Sequence, residues 1–320
     1  MRSYERPIIV SSKCIEFEPC RYNGLMISSD VVANLKKYAD FIPVCPEVAI
    51  GLGVPRDPVR IVDDGGQNHL YQPKTGECFT SEMEQFSEQF LNGLNEIDGF
   101  ILKNRSPSCG IKNVKRYHGF NNPGSMRDSV GFFAEKVKSH FPNQPVEDEG
   151  RLRNISIRED FFTKIFTLAD FRRVKNQGSF QDLLDFHSRN KFLLLAFNQE
   201  NMRRMGRLLS SSSDLLEDIK NNYCELLLHS LSENSKTTSN SNVLMHSLGY
   251  FSAKLTQPEK AFFLENLEKY RGGRIPLMVM SSLIKSWIIR FGSEYLEKQT
   301  FFNPYPDELM QVSFIYDKMG

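Results

Sequence analysis

Of 320 residues only one is Trp and six are Cys, and no two cysteines form a CxxC pair. Six cysteines in a chain of this length are too sparse for a disulfide framework and suit a reducing compartment. The missing CxxC excludes the zinc-ribbon pattern. No apolar run approaches the roughly 20 residues that span a bilayer; the longest, at residues 192–197, is far shorter. The first ten residues, MRSYERPIIV, lack a signal-peptide core. A cytoplasmic protein without a membrane partner is expected. There is no GxGxxG fingerprint, and Gly65-Gly66 after Asp63-Asp64 reads as a turn. Net charge is only +1, so overall charge is silent about nucleic acid. What is present is ordinary for a soluble chain: 40% hydrophobic, 25% charged, and 25 Phe with which to build a core. The length suits two domains of about 150 residues.

The first 140 residues alternate β-like runs with helical stretches. Residues 7–12, 41–44, 59–62 and 99–103 read as strands. Residues 31–38 have helical spacing, and Phe79, Met83, Phe86, Phe90 and Leu94 recur at three and four. Strands alternating with helices predict an α/β domain with a mostly parallel sheet. The connector FPNQPVEDEG then marks a boundary, giving domains at 1–142 and 143–320. The second is predicted all-α, with the polar run NSKTTSNSN at 234–242 as a loop.

Charge is uneven along the chain. Between Arg151 and Ser210, twelve Lys and Arg face six Asp and Glu. Such a segment is compatible with a phosphate backbone or with a solvated helical face. Its candidate RNA contacts are Arg151, Arg153, Arg158, Arg172, Arg173, Arg203 and Arg204. Tyr250, Tyr270, Trp287 and Tyr305 could stack on bases, though core packing explains them more simply. His187 and His246 read as helix-face groups rather than ligands.

Cys14, Cys45 and Cys109 share one setting: each follows a β-like run, in a turn rich in Pro, Ser, Gly or Arg. Sites in open parallel sheets form at the carboxyl ends of strands, so the three should converge. A metal site, a structural role and a redox-active disulfide are all readings of this spacing. Soft thiolates favour iron–sulfur or zinc. Cys20 is a candidate fourth ligand on the Cys14 loop, whereas Cys78 and Cys224 lie in or near helical stretches. Glu47, two residues after Cys45, could serve as a general base or pair with Arg56 or Arg60. Ser106 and Ser108 could donate a proton or cap a turn.

The strings SSKCIEFEPCRYNG, FIPVCPEVAIGLGVPRDPVRIV and GFILKNRSPSCG resemble the three motifs of the iron–sulfur-dependent thiouracil desulfidase family. PVEDEGRLRN, LLDFHSRNKFLLLAF, NVLMHSLGYFSAKL, YRGGRIPL and FFNPYPDEL resemble the YbgA-type helical domain fused behind that module. The first loop differs from the family's SxCLLG form by carrying Phe17 at the glycine position. The resemblance implies a Rossmann-like α/β domain holding a [4Fe-4S] cluster on Cys14, Cys45 and Cys109. It implies Glu47 as the catalytic carboxylate and Ser106, with Ser108 as the alternative, as proton donor. It also implies non-redox removal of sulfide from 4-thiouracil or from 4-thiouridine in tRNA. The other readings are a binding or stress-response module with a structural metal, and a desulfidase confined to free thiouracil.

Overall fold

The computed structural model of the chain describes residues 3–121, 124–210 and 215–310. Residues 311–320, assigned above to the second domain, lie outside the described residues. The described residues divide into two units: Glu5–Phe161 with residues 308–310, and Phe162–Asp307 with residues 3–4.

In the first unit, the branched run IIVSS forms β1 (Ile8–Ser12), whose Ile9 and Val10 are fully buried. Ser29 caps α1 (Asp30–Leu35) by accepting from the Val32 amide, and β2 (Asp40–Val44) follows. Pro46, with its fixed φ and no amide to lose, opens the single-turn helix α2 (Pro46–Ala49) directly after β2. Next come β3 (Arg60–Asp64), β4 (Gln67–Gln72), β5 (Glu77–Cys78) and α3 (Thr80–Asn92). The unit continues with β6 (Gly99–Leu102), β7 (Val114–His118), β8 (Ser125–Ser129), α4 (Phe132–His140) and β9 (Val146–Asp148). The α/β class is as the sequence predicts.

One sheet has the order β2-β1-β6-β9, and every pairing in it is parallel. The runs at 7–12, 41–44 and 99–103 are thus hydrogen-bonded neighbours, and their following loops leave from the same edge. The run at 59–62 does not join them. It enters a second sheet, β5-β4-β3-β7-β8, in which only β3 and β7 are parallel. Gly65 and Gly66, both at positive φ, make the β3–β4 hairpin turn. The core lies between the sheets and α3 and α4, where Phe86, Phe90 and Phe133 stack. The connector at 141–150 belongs to this unit and supplies β9.

The second unit is built from α5 (Ile155–Gln177), which begins in the first unit, then α6 (Phe180–Phe197), α7 (Gln199–Leu208) and α8 (Leu216–Leu231). After these come α9 (Thr237–Phe251), α10 (Gln257–Arg271), α11 (Leu277–Phe291) and α12 (Glu294–Glu297). Capping boxes at Ser179/Asp182 and Thr256/Glu259 start α6 and α10. The core centres on Phe171, Phe186, Tyr223, Phe251 and Phe263. The polar run at 234–242, read above as a loop, is instead largely the first turns of α9. Its polarity is absorbed internally: Ser241 donates to the Thr237 carbonyl, and Asn240 donates to the Tyr270 hydroxyl. Among the described residues, no helix is long and apolar enough to cross a membrane.

Candidate functional site

The site grows from the shared edge of β1, β2 and β6. Beyond β1, the Lys13 amide continues the ladder to the Val44 carbonyl (2.8 Å), and the Cys14 carbonyl accepts from Ile27 (2.8 Å). Cys45 ends β2 and is the N-cap of α2, which puts Glu47 in the first turn of that helix. Cys109 follows β6 on the SPSCG loop. The loop is held through its backbone by the start of α4, where Gly131, Phe132 and Ala134 donate to the carbonyls of Gly110, Pro107 and Ser108 (2.8–3.1 Å). A Cβ on Gly131 would stand 2.5 Å from the Ser108 backbone, so the approach needs glycine.

Cys20 is in contact with Cys14 and with Cys45, and Cys109 lies close enough to Cys45 to feel its charge. Cys14, Cys20 and Cys109 are buried, Cys45 is half-buried, and none of the four is in a disulfide. The Cys45 thiol donates to the Cys20 carbonyl at 3.9 Å. Contact with the Cys14 thiol pushes Cys20 up to about 11, against an opposing contact with Cys45. The contact with Cys20, reinforced by burial, drives Cys45 well above the ordinary thiol range. Burial does the same to Cys109, opposed by its hydrogen bond with Ser12. Cys78 is exposed, beside Thr80 and His69, and Cys224 lies in the helical unit; neither joins this group. Among the described residues, no three His, Cys, Asp or Glu side chains are grouped so as to hold one metal ion.

Beside the thiols runs a chain of polar contacts. Ser108, fully buried, donates from Oγ to Glu47 Oε1 at 2.9 Å. The other carboxylate oxygen, Oε2, accepts from Arg56 Nε (2.9 Å) and Nη2 (2.6 Å). Arg56 Nη1 also reaches the carbonyls of Cys20 (3.0 Å) and Gly53 (3.1 Å). The two side chains of the ion pair keep only 7% and 12% exposure, so the pair is shielded from solvent and salt. Of the two serines, Ser108 touches the carboxylate. Ser106 Oγ accepts instead from the amides of Ser108 (3.2 Å) and Cys109 (3.1 Å), which fixes the turn. Glu149 ties the loop's entrance, taking Lys103 Nζ (2.7 Å) and the Asn104 amide (2.8 Å).

Phe17 packs on Phe41 (ring centroids 5.3 Å apart) beneath Lys36. The sequence reading foresaw Arg56 only as a partner of Glu47, and did not foresee Ser12 and Glu149. The signal for Arg56 is its place in the same CPEVAIGLGVPR string as Glu47.

The predicted RNA contacts are dispersed. Arg151 is engaged by Glu147 at 2.6 Å, and Arg158 is buried with Nη1 on the Leu152 carbonyl. Arg153 is exposed. In the helical unit, Arg172 and Arg173 are half-buried on α5, and Arg173 pairs with Asp170. On α7, Met202 and Met205 are buried while Arg203, Arg204 and Arg207 face solvent. Tyr270, Trp287 and Tyr305 are core residues, whereas Tyr250 is exposed and stacks on Tyr295. His187 bonds the Tyr223 hydroxyl at 3.1 Å, and His246 is exposed.

Fold and site together define an α/β unit with buried thiols and a carboxylate at one strand edge, followed by a helical unit. A family model for 2-thiouracil desulfurase matches residues 8–149, and one for a protein of unknown function, DUF1722, matches residues 191–306. The uncharacterized protein YbgA of Escherichia coli K12 is 30% identical over 146 residues, 45% of this chain and 86% of that protein. The uncharacterized protein YbbK of Bacillus subtilis 168 is 31% identical over 112 residues, 32% of this chain and 73% of that protein. A solved structure of the [4Fe-4S]-dependent thiouracil desulfidase TudS is 29% identical and covers 46% of this chain and 94% of its own, at a TM-score of 0.37. The chain belongs with YbgA as a relative, and it carries a region that matches the 2-thiouracil desulfurase model ahead of one that matches DUF1722.

Proposed function

We propose that the protein removes sulfur from a thiolated pyrimidine, 4-thiouracil or 4-thiouridine, in the cytoplasm. Water replaces sulfide at the C–S carbon, giving uracil or uridine and hydrogen sulfide with no net oxidation. The observation that carries this is the buried Ser108–Glu47–Arg56 chain beside the thiols, within the region that matches the 2-thiouracil desulfurase model.

Cys14, Cys45 and Cys109 are the proposed holders of a [4Fe-4S] cluster. The donor chemistry supports it: all three are soft thiols, and Cys45, through its contact with Cys20 and its burial, and Cys109, through burial, keep their protons well above the ordinary thiol range unless a cation lies among them. A cluster spreads its thiolates over separate irons, so the donors need not converge on one point. When bound, it supplies an open, Lewis-acidic iron for the soft thiocarbonyl sulfur.

The chain's own residues do the rest. Glu47 is the base that takes a proton from the attacking water. Arg56 holds Glu47 Oε2, leaving Oε1 for proton exchange. Ser108 passes the proton from Glu47 toward the pyrimidine ring, and Ser106 keeps the loop in place for it. For the substrate as it occurs in tRNA, domain 1–142 carries the chemistry and domain 143–320 the RNA contacts. The solvent-facing Arg203 and Arg204 on α7 support that division.

The test is anaerobic purification, iron and sulfide analysis, and assay of sulfide release from 4-thiouracil and from thiolated tRNA. An iron-loaded protein that frees sulfide from neither overturns the reading.

A further inference from the structure

In the helical unit, α11 is apolar on its solvent side as well as its core side. Its sequence, LMVMSSLIKSWIIRF, has two charged residues, and both are spent within the unit: Arg290 binds Glu259 at 2.6 Å, and Lys285 lies 3.6 Å from Asp307. Met280, Ile284, Trp287 and Ile288 are buried on the core side. Val279, Ser282, Ser286 and Ile289 recur at three and four on the opposite side and are exposed. Ile289, at 84%, is the most exposed large hydrophobic side chain among the described residues. The serines add little outward polarity, since Ser282 Oγ donates to the Met278 carbonyl (2.9 Å) and Ser286 Oγ to the Leu283 carbonyl (2.7 Å). Phe262, 55% exposed and one turn from Glu259 on α10, widens the strip. A helix apolar all round belongs in an interior, and α11, at 15 residues, is too short to span a bilayer.

The strip is also symmetric. Val279 and Ile289 stand five residues either side of Ile284, Ser282 and Ser286 two residues either side, and Arg274 and Glu294 ten residues either side. Arg274 and Glu294 are exposed and of opposite sign, and neither forms an ion pair among the described residues. Glu265 binds Lys269 at 2.8 Å and only feels the more distant Arg274. A two-fold interface needs a patch that matches itself, so that residue i meets j while j meets i. Two α11 strips laid antiparallel about an axis level with Ile284 meet that requirement. Val279 of one copy comes level with Ile289 of the other, Ser282 with Ser286, and each Arg274 end with a Glu294 end. The short serine side chains near the centre leave room for close approach. A parallel pairing would set like charge on like at both ends.

We infer that α11 is the docking face for a second copy of this chain, packed antiparallel through this strip. One helix a side covers less than the roughly 1,200–2,000 Å² of stable interfaces, so the association is weak and concentration-dependent. It is read without substrate or cluster and stands apart from the desulfidase reading. The full-length protein is sedimented at about 1–200 µM in low salt, with reductant so that exposed Cys78 cannot cross-link copies. The mass should rise with concentration toward twice that of the monomer. Ile289→Glu should keep the melting temperature, because the side chain meets mostly solvent, and should raise the dissociation constant at least about tenfold. Arg274→Glu and Glu294→Arg each set like charges at both ends and should each weaken pairing at least about fivefold. An equimolar mixture of these two single variants regains opposite charges at both ends and should dimerise as the parent does. A parent that stays monomeric throughout, an Ile289→Glu variant that dimerises undiminished, or a mixture no better than its components overturns the docking face.

Discussion

Ser108 Oγ stands 2.9 Å from Glu47 Oε1, so a hydroxyl on the loop after β6 and a carboxylate on the helix after β2 share one proton-exchange contact. Glu47→Gln keeps the shape and removes the base. Turnover should fall by about 100-fold or more, the ordinary scale of general-base catalysis, while iron content stays at the parent level. Unchanged turnover at equal iron would remove Glu47 from the mechanism.

The two serines should separate. Ser108→Ala breaks the contact with Glu47 and should lower kcat with little change in melting temperature. Ser106→Ala strands the amides of Ser108 and Cys109, which should cost about 1–2 kcal/mol in urea unfolding. The reverse ordering would return the proton-donor role to Ser106.

Arg56 and Glu47 form a nearly buried pair, and removing one partner leaves the other charged and unpaired. Arg56→Ala should destabilise the α/β unit by about 3–5 kcal/mol. A loss below 1 kcal/mol would mean that water reaches the carboxylate.

Ala substitution of Cys14, Cys45 or Cys109 should abolish bound iron and visible absorption, whereas Cys78 and Cys224 should tolerate it. Cys20→Ala is the informative case, because its thiol touches both Cys14 and Cys45. Retained iron fits three ligands; lost iron would make Cys20 the fourth.

Burial lowers the pKa of His187 to about 4, with Lys191 adding to the effect. Its unfolded value is near 6.5, so between those limits the unfolded chain binds the extra proton. Stability from neutral His187 is therefore full above about pH 6.5 and drains away as pH falls toward 4, by up to about 3 kcal/mol. Unfolding free energies of the parent and His187→Gln across this range should converge at low pH. Parallel curves would place the histidine in contact with water.

How much of this was legible in the sequence depended on polarity. β1 and β6 declared themselves because central strands of a parallel sheet are covered on both faces and are correspondingly apolar, and the edge strand β2 through its Phe41–Val44 run. Apart from β3 the second sheet did not, since β4, β7 and β8 read QNHLYQ, VKRYH and SMRDS, polar or charged along most of their length. For the same reason the neighbouring cations Arg60, Lys115 and Arg127 escaped notice, since they meet only when β3, β7 and β8 pair. Cys14, Cys45 and Cys109 were legible because each lies in the segment that follows a strand, and Glu47 because it stands two residues past Cys45. The α9 run misled because serine and asparagine signal loops, whereas here their hydrogen bonds close within and against the helices.

The partners that bring the thiol loops together are far apart in sequence: Ile9 pairs with Gly99 and Ser11 with Ile101. Closing such long loops comes late and slowly in folding. Cys14 and Cys45 can meet once β2 has paired with β1, but Cys109 has no fixed place until β6 has docked on the other side of β1. The thiol site is thus a product of the finished sheet rather than a seed for it. A group held by all three thiols at once would therefore be held only by the assembled sheet, and its binding would stabilise that sheet.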